Sequence, residues 1–124
     1  MSSAKMFLNL FRDVETTNFA AGDHVFREGD RGELMFVVIE GDVEILDGST
    51  VLEIAGPGSI IGELALIDDG PRSAAVVAKT DVKRVPVNRR RFEFMVQETP
   101  FFALTVMKIL ADRIRATNAK LLTK

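Results

Sequence analysis

The chain has no cysteine, which excludes disulfides, iron–sulfur clusters and zinc–thiolate sites. It has a single histidine, His24, so no imidazole cluster can hold a metal. His24 reads as a solvated residue flanking a turn. No apolar run is long enough to cross a bilayer, and the opening Met-Ser-Ser-Ala-Lys-Met-Phe lacks the apolar core of a signal peptide. The expected setting is the cytoplasm, without a membrane partner. No nucleophile–base pair stands out, and no catalysis is expected. Glycine is absent beyond Gly70, so the second half lacks the turn-forming residue that crowds the first.

What is present fits a soluble globular protein of one domain spanning 1–124: 124 residues, 47% hydrophobic and 27% charged. The net charge of −2 hides an asymmetry. Residues 1–71 carry 4 basic and 14 acidic side chains, whereas residues 72–124 carry 12 basic and 4 acidic ones. A domain with an acidic front does not look like a generic nucleic-acid binder, whose basic charge dominates.

All nine glycines fall between Gly22 and Gly70, spaced among β-branched and aromatic runs. That spacing signals tight turns between short strands. It predicts strands at 18–20, 24–27, 34–39, 43–46, 51–54, 59–61, 74–78 and 83–87. Helices are expected over 5–11, from an Asn88 cap to about Gln97 with Phe92, Met95 and Val96 inward, and onward from Thr99-Pro100. The fold class is α+β: an eight-stranded antiparallel jelly roll with one N-terminal helix and two C-terminal helices.

Chemistry concentrates in 61–80, Ile-Gly-Glu-Leu-Ala-Leu-Ile-Asp-Asp-Gly-Pro-Arg-Ser-Ala-Ala-Val-Val-Ala-Lys-Thr. Gly62 ends a strand with a sharp turn, and Glu63-Leu64-Ala65-Leu66 fits one short helical turn with outward N–H groups. A turn at 68–71 then leads to Arg72 at the mouth of the next strand. A guanidinium fork beside a helix N-terminus suits a phosphate with two free oxygens. Glu63 would repel a bare phosphate but can accept from a sugar hydroxyl. A cyclic nucleotide carries both features.

This stretch resembles the phosphate-binding cassette of cyclic-nucleotide-binding domains, found in bacterial catabolite activators, kinase regulatory subunits and cyclic-nucleotide-gated channels. The family's Gly-Glu-Leu-Ala turn is matched by Gly62, Glu63, Leu64 and Ala65, and its Pro-Arg step by Pro71, Arg72, Ser73 and Ala74. The resemblance implies that Glu63 accepts from the ribose 2′-OH and that Arg72 pairs with the exocyclic phosphate oxygens. It further implies that the Ala65 N–H and the Ser73 hydroxyl complete the phosphate cage, with Gly62 permitting close approach. Phe26-Arg-Glu-Gly-Asp, the strand and turn at 36–41 and Val43-Glu-Ile resemble the family's early barrel. Ala111-Asp-Arg-Ile-Arg-Ala-Thr-Asn-Ala-Lys is similar to the activators' closing helix, where a Thr-Ser pair contacts adenine. Thr117 takes the threonine place, and Asn118 stands where the activators have serine.

The implied function is a regulatory sensor of cyclic AMP, with output through the C-terminal helix to an unknown downstream protein. Cyclic GMP stays open, because a hydroxyl after the arginine, here Ser73, can hold guanine's amino group. On the last helix Phe102, Val106, Ile109, Leu110, Ile114, Thr117 and Leu121 follow a three-and-four spacing, which serves barrel packing, a homodimer, or both. The sequence ends at Lys124, where the activators continue into a helix-turn-helix, so no sequence-specific DNA reading is expected.

Blander readings stand beside these. Glu63 and Arg72 can be a surface ion pair, Ser73 a strand-end hydroxyl, and Thr117 and Asn118 exposed helix residues. Lys83, Arg84, Arg89, Arg90 and Arg91 read as a solvated face. A jelly-roll interaction module that binds no nucleotide is the alternative function. A cupin-like enzyme is the other rival, and one histidine does not supply its metal.

Overall fold

The computed structural model describes residues 3–68 and 70–122; Asp69, in the turn at 68–71, and the side chain of Leu121 lie outside what is described. The chain divides into two compact units, Met1–Arg89 and Arg90–Lys124.

The first unit opens with α1, Ser3–Leu10, and continues through β1 Thr17–Phe19, β2 His24–Phe26, β3 Leu34–Glu40, β4 Val43–Asp47, β5 Thr50–Ala55 and β6 Ile60–Ile61. A single helical turn, α2 Leu64–Ile67, precedes β7 Ala75–Ala78 and β8 Val82–Asn88. The strands form two four-stranded sheets, ordered β1-β8-β3-β6 and β2-β7-β4-β5. Every pairing is antiparallel. This is the expected jelly roll, with strand limits displaced by only a residue or two.

The pattern in each strand follows from which faces it buries. Along β3, Phe36 and Val38 join Val43, Ala55, Ile61, Val76, Ala78 and Val82 in the core between the sheets, while Met35 and Val37, on the opposite face, are buried as well. A strand covered on both sides needs no polar alternation, hence the run Leu-Met-Phe-Val-Val-Ile. Each buried Phe or Val contributes about 1.5–3 kcal/mol. Proline is tolerated in β8 because β1 pairs only with residues 82–84. At Pro86 the strand has β3 alone as a neighbour, so it is locally an edge that needs no second donor.

One residue of the predicted basic face is not on it. Arg84 pairs with Val38 and therefore turns toward the interior rather than to solvent. Its guanidinium lies 3.8 Å from the Phe19 ring centroid and 4.0 Å from that of Phe36. Burial pushes its pKa down to about 10, and Nε finds no hydrogen-bond partner among the described residues. Lys83, Arg89, Arg90 and Arg91 are exposed as expected.

The second unit consists chiefly of α3, Arg89–Glu98, and α4, Pro100–Leu122. Pro100 opens α4 as predicted, where a missing N–H costs nothing. Phe92 and Phe102 meet edge to face at 5.4 Å and 72°. Phe92 and Met95 are partly buried, but Val96 is 36% exposed and does not join them. Val96 follows Met95 by 100° of helix rotation, so it falls off the covered stripe. No single helix among the described residues is long and apolar enough to cross a membrane.

Candidate ligand-binding site

Among the described residues, two charged side chains are buried: Glu63 at 5% exposure and Arg72 at 7%. A surface ion pair is thereby excluded. Both belong to the segment that sequence singled out, and the fold explains how they meet. Gly62 leaves β6 with φ +76°, a conformation that L side chains avoid. The chain thus turns at once into Glu63 and α2. Arg72 lies three residues ahead of β7 and is clasped by the β2–β3 turn. Its N–H donates to the Asp30 carbonyl at 2.8 Å, and the Gly29 N–H donates to the Arg72 carbonyl at 2.8 Å. The Asp30 side chain closes that turn by accepting from the Arg27 N–H at 3.0 Å.

The guanidinium is seated with equal care. Nη1 donates to the Gly62 carbonyl at 3.0 Å and Nη2 to the Leu34 carbonyl at 2.7 Å. The Phe26 ring lies 4.1 Å from Cζ. Gly32 provides the remaining room: a Cβ there would overlap Cζ, Nε and Nη2 of Arg72. Burial lowers the Arg72 pKa, opposed by the charge of Asp30 and then of Glu63. Arginine nevertheless remains protonated at any physiological pH. It has five N–H donors. Nε is buried with no hydrogen-bond partner among the described residues. A buried, unsatisfied cationic donor is costly, and an anionic acceptor at this place would relieve it.

The other expected contributors are placed less uniformly. Ala65 is buried, and its N–H donates to the Gly62 carbonyl over 3.3 Å, a long bond that a ligand oxygen can displace. Leu64 is 49% exposed, and Ser73, beside Arg72, is exposed. Gly62, Glu63, Ala65 and Arg72 are brought together. Thr117 and Asn118 are exposed on α4, in the second unit. Sequence reasoning passed over Gly32, Leu34 and Phe26 as site residues. A second glycine only three positions after Gly29 was the available signal for Gly32. The carbonyl role of Leu34 leaves no mark in sequence.

A buried carboxylate, Glu63, and a buried guanidinium, Arg72, with Nε unsatisfied among the described residues, thus lie on one segment. Residues 16–99 match the family profile described as cyclic nucleotide-binding domain, and the chain belongs to that family. The chain is 32% identical over 117 residues to the CRP-like cAMP-activated global transcriptional regulator of Mycobacterium tuberculosis H37Rv, covering 90% of this chain and 52% of the relative. It thus spans about half the length of that protein. Among solved structures it resembles the N-terminal domain of a transcriptional regulator from Streptomyces coelicolor A3(2), with TM-score 0.64, 33% identity, and coverage of 90% of this chain and 81% of that one. It also resembles the catabolite activator protein of Thermus thermophilus, with TM-score 0.77, 27% identity, and coverage of 96% and 57%.

Proposed function

We propose that this cyclic-nucleotide-binding regulatory domain senses cyclic AMP and that residues 62–73 form its phosphate-binding cassette. The observation that carries the reading is the buried Glu63–Arg72 pair with an unsatisfied Arg72 Nε. In this account the cyclic phosphate takes the free edge of Arg72, helped by the Ala65 N–H and the Ser73 hydroxyl. Glu63 accepts from the ribose 2′-OH, and Gly62 keeps the approach clear. The adenine preference draws on the relatives, one of which is named as activated by cAMP. In this account residues 1–124 work as one binding domain in the cytoplasm, and Thr117 and Asn118 of α4 are its candidate base-contacting residues, with output carried by α4 to a partner protein. Binding without catalysis draws on the relatives, one of which is named as a transcriptional regulator and another as a kinase regulatory subunit. The acidic first half speaks against a role in generic nucleic-acid binding.

Calorimetric titration with cyclic AMP, cyclic GMP and cyclic di-GMP tests this reading. Saturable one-to-one binding that is tightest for cyclic AMP supports it. No binding of any of the three points instead to a ligand-free interaction module.

A homodimer through α4 is a second part of the proposal. Phe101, Leu104, Met107 and Ile114 are 68%, 59%, 62% and 61% exposed on that helix, and positions 104, 107, 111, 114 and 118 follow a three-and-four repeat suited to a helix pair. Sedimentation equilibrium of the wild type and Ile114→Glu tests it, since a charge in the seam should yield monomers.

A further inference from the structure

The segment Phe26-Arg-Glu-Gly-Asp lies at the end of β2, far from Arg72 in sequence. Its turn is closed twice. The Asp30 N–H donates to the Arg27 carbonyl at 3.1 Å, and the Arg27 N–H donates back to Asp30 Oδ2 at 3.0 Å. Gly29 has φ +86°, whereas Glu28 before it has no positive φ, the pattern of a type II turn.

This doubly closed turn holds the backbone of Arg72. Residues 70–74 belong to no helix or strand, so no sheet ladder fixes Arg72. Both of its backbone polar groups go to the turn instead: its N–H donates to the Asp30 carbonyl, and its carbonyl accepts from the Gly29 N–H, each at 2.8 Å. The guanidinium rests on Phe26, from the same segment, at 4.1 Å. Asp30 itself is exposed, so packing gives no reason for it. Its carboxylate acts through the turn it closes and through its charge. Burial lowers the Arg72 pKa, and the charge of Asp30 opposes that. The two effects pull anion affinity in opposite directions. A closed turn places the cation in advance and spares a ligand the cost of ordering the segment, whereas a carboxylate near the cation repels an anion.

The following step rests on the cyclic-nucleotide reading above. We propose that Asp30 is a positioning residue for the ligand: by closing the 27–30 turn, it holds the Arg72 backbone where the guanidinium meets the phosphate. The positioning effect wins over the repulsion. Solvent and salt screen an exposed charge, while an open turn leaves both backbone bonds of Arg72 without a rigid partner.

Two variants of the full chain separate the effects. Asp30→Ala removes the bond and the charge. Asp30→Asn removes the charge alone, since its amide oxygen still accepts from the Arg27 N–H. Calorimetric titration with cyclic AMP should find Asp30→Ala roughly three- to tenfold weaker than the wild type, the cost of ordering a loosened loop, and Asp30→Asn at least as tight as the wild type. Residue-resolved amide exchange on the ligand-free proteins reads the positioning itself. In Asp30→Ala the Arg72 and Gly29 N–H groups should exchange roughly tenfold faster, while amides of β3 and β8 keep their wild-type rates, because the opening is local. Undiminished affinity in Asp30→Ala, an equal loss in Asp30→Asn, unmoved exchange at Arg72, or equal quickening throughout β3 and β8 overturns the role of Asp30 and leaves the phosphate site standing. Failure of the wild type to bind cyclic AMP overturns the cyclic-nucleotide reading, and the role of Asp30 in binding with it.

Discussion

Replacing Gly32 by alanine probes the seat of Arg72 without touching a charged residue. The new methyl would occupy the space of Cζ, Nε and Nη2, and Gly32 is not among the glycines with positive φ, so the backbone accepts alanine unstrained. The flexible guanidinium must therefore move, giving up its bonds to the Gly62 and Leu34 carbonyls and its place on Phe26. A hydrogen bond to a charged group contributes about 1.5–3 kcal/mol, and rehydration of the displaced guanidinium recovers part of two such bonds. Gly→Ala also stiffens the unfolded chain, a gain of about 0.4–1 kcal/mol. The net expectation is a loss of about 2 kcal/mol, which at a slope of about 2 kcal/mol per M lowers the urea midpoint by about 1 M. Cyclic-AMP affinity should fall with it, because the cation is no longer held at the site. Urea denaturation and calorimetry on Gly32→Ala check both. A wild-type midpoint together with wild-type affinity would refute the reasoning, since the guanidinium would then not depend on that gap.

Glu63 is tested by the sugar: 2′-deoxy cyclic AMP should bind about 1.5–3 kcal/mol more weakly than cyclic AMP, and Glu63→Gln should blunt the difference in the same titration. Arg84→Met should raise stability by about 1 kcal/mol, as an unsatisfied, partly buried cation gives way to an apolar chain of similar length. Because burial lowers the folded pKa of Arg84 to about 10, the unfolded state holds more protons above that pH. The penalty is therefore full below pH 10 and eases as pH rises beyond it, and chemical denaturation of both proteins from pH 7 to 11 should show the mutant's advantage shrinking. Thr117→Ala should weaken cyclic AMP by about 0.5–1.5 kcal/mol, and amide exchange in α4 should slow on ligand binding more in the wild type than in the mutant.

The roll was legible because its turns are written in glycine. Gly22, Gly29, Gly41, Gly48, Gly58 and Gly62 all have positive φ, and the strands read between them fall within a residue or two of those observed. Gly62, Glu63 and Arg72 stood out through the resemblance of Gly62–Ala65 and Pro71–Ala74 to a phosphate-binding cassette; taken alone, the carboxylate and the guanidinium read equally as a surface ion pair. Their burial was not legible. It depends on the Leu34 carbonyl, the Phe26 ring and the gap at Gly32, which long-range pairing brings to Arg72. The inward turn of Arg84 escaped for a related reason. Its place in a run of basic residues suggests solvent, and only its pairing with Val38 shows which face it occupies. Val96 shows the same limit on a helix, where one residue of rotation separates covered from exposed.

The central claim, that Arg72 anchors a cyclic phosphate, is tested most directly by calorimetric titration of cyclic AMP into wild-type protein and Arg72→Ala. The temperature must be one at which circular dichroism shows both folded, because the mutant also loses its bonds to Gly62 and Leu34. The account predicts saturable binding by the wild type and a loss of at least a hundredfold in the mutant, in line with about 3 kcal/mol for a charge-assisted, bidentate contact. Near-equal binding by wild type and folded Arg72→Ala would contradict it.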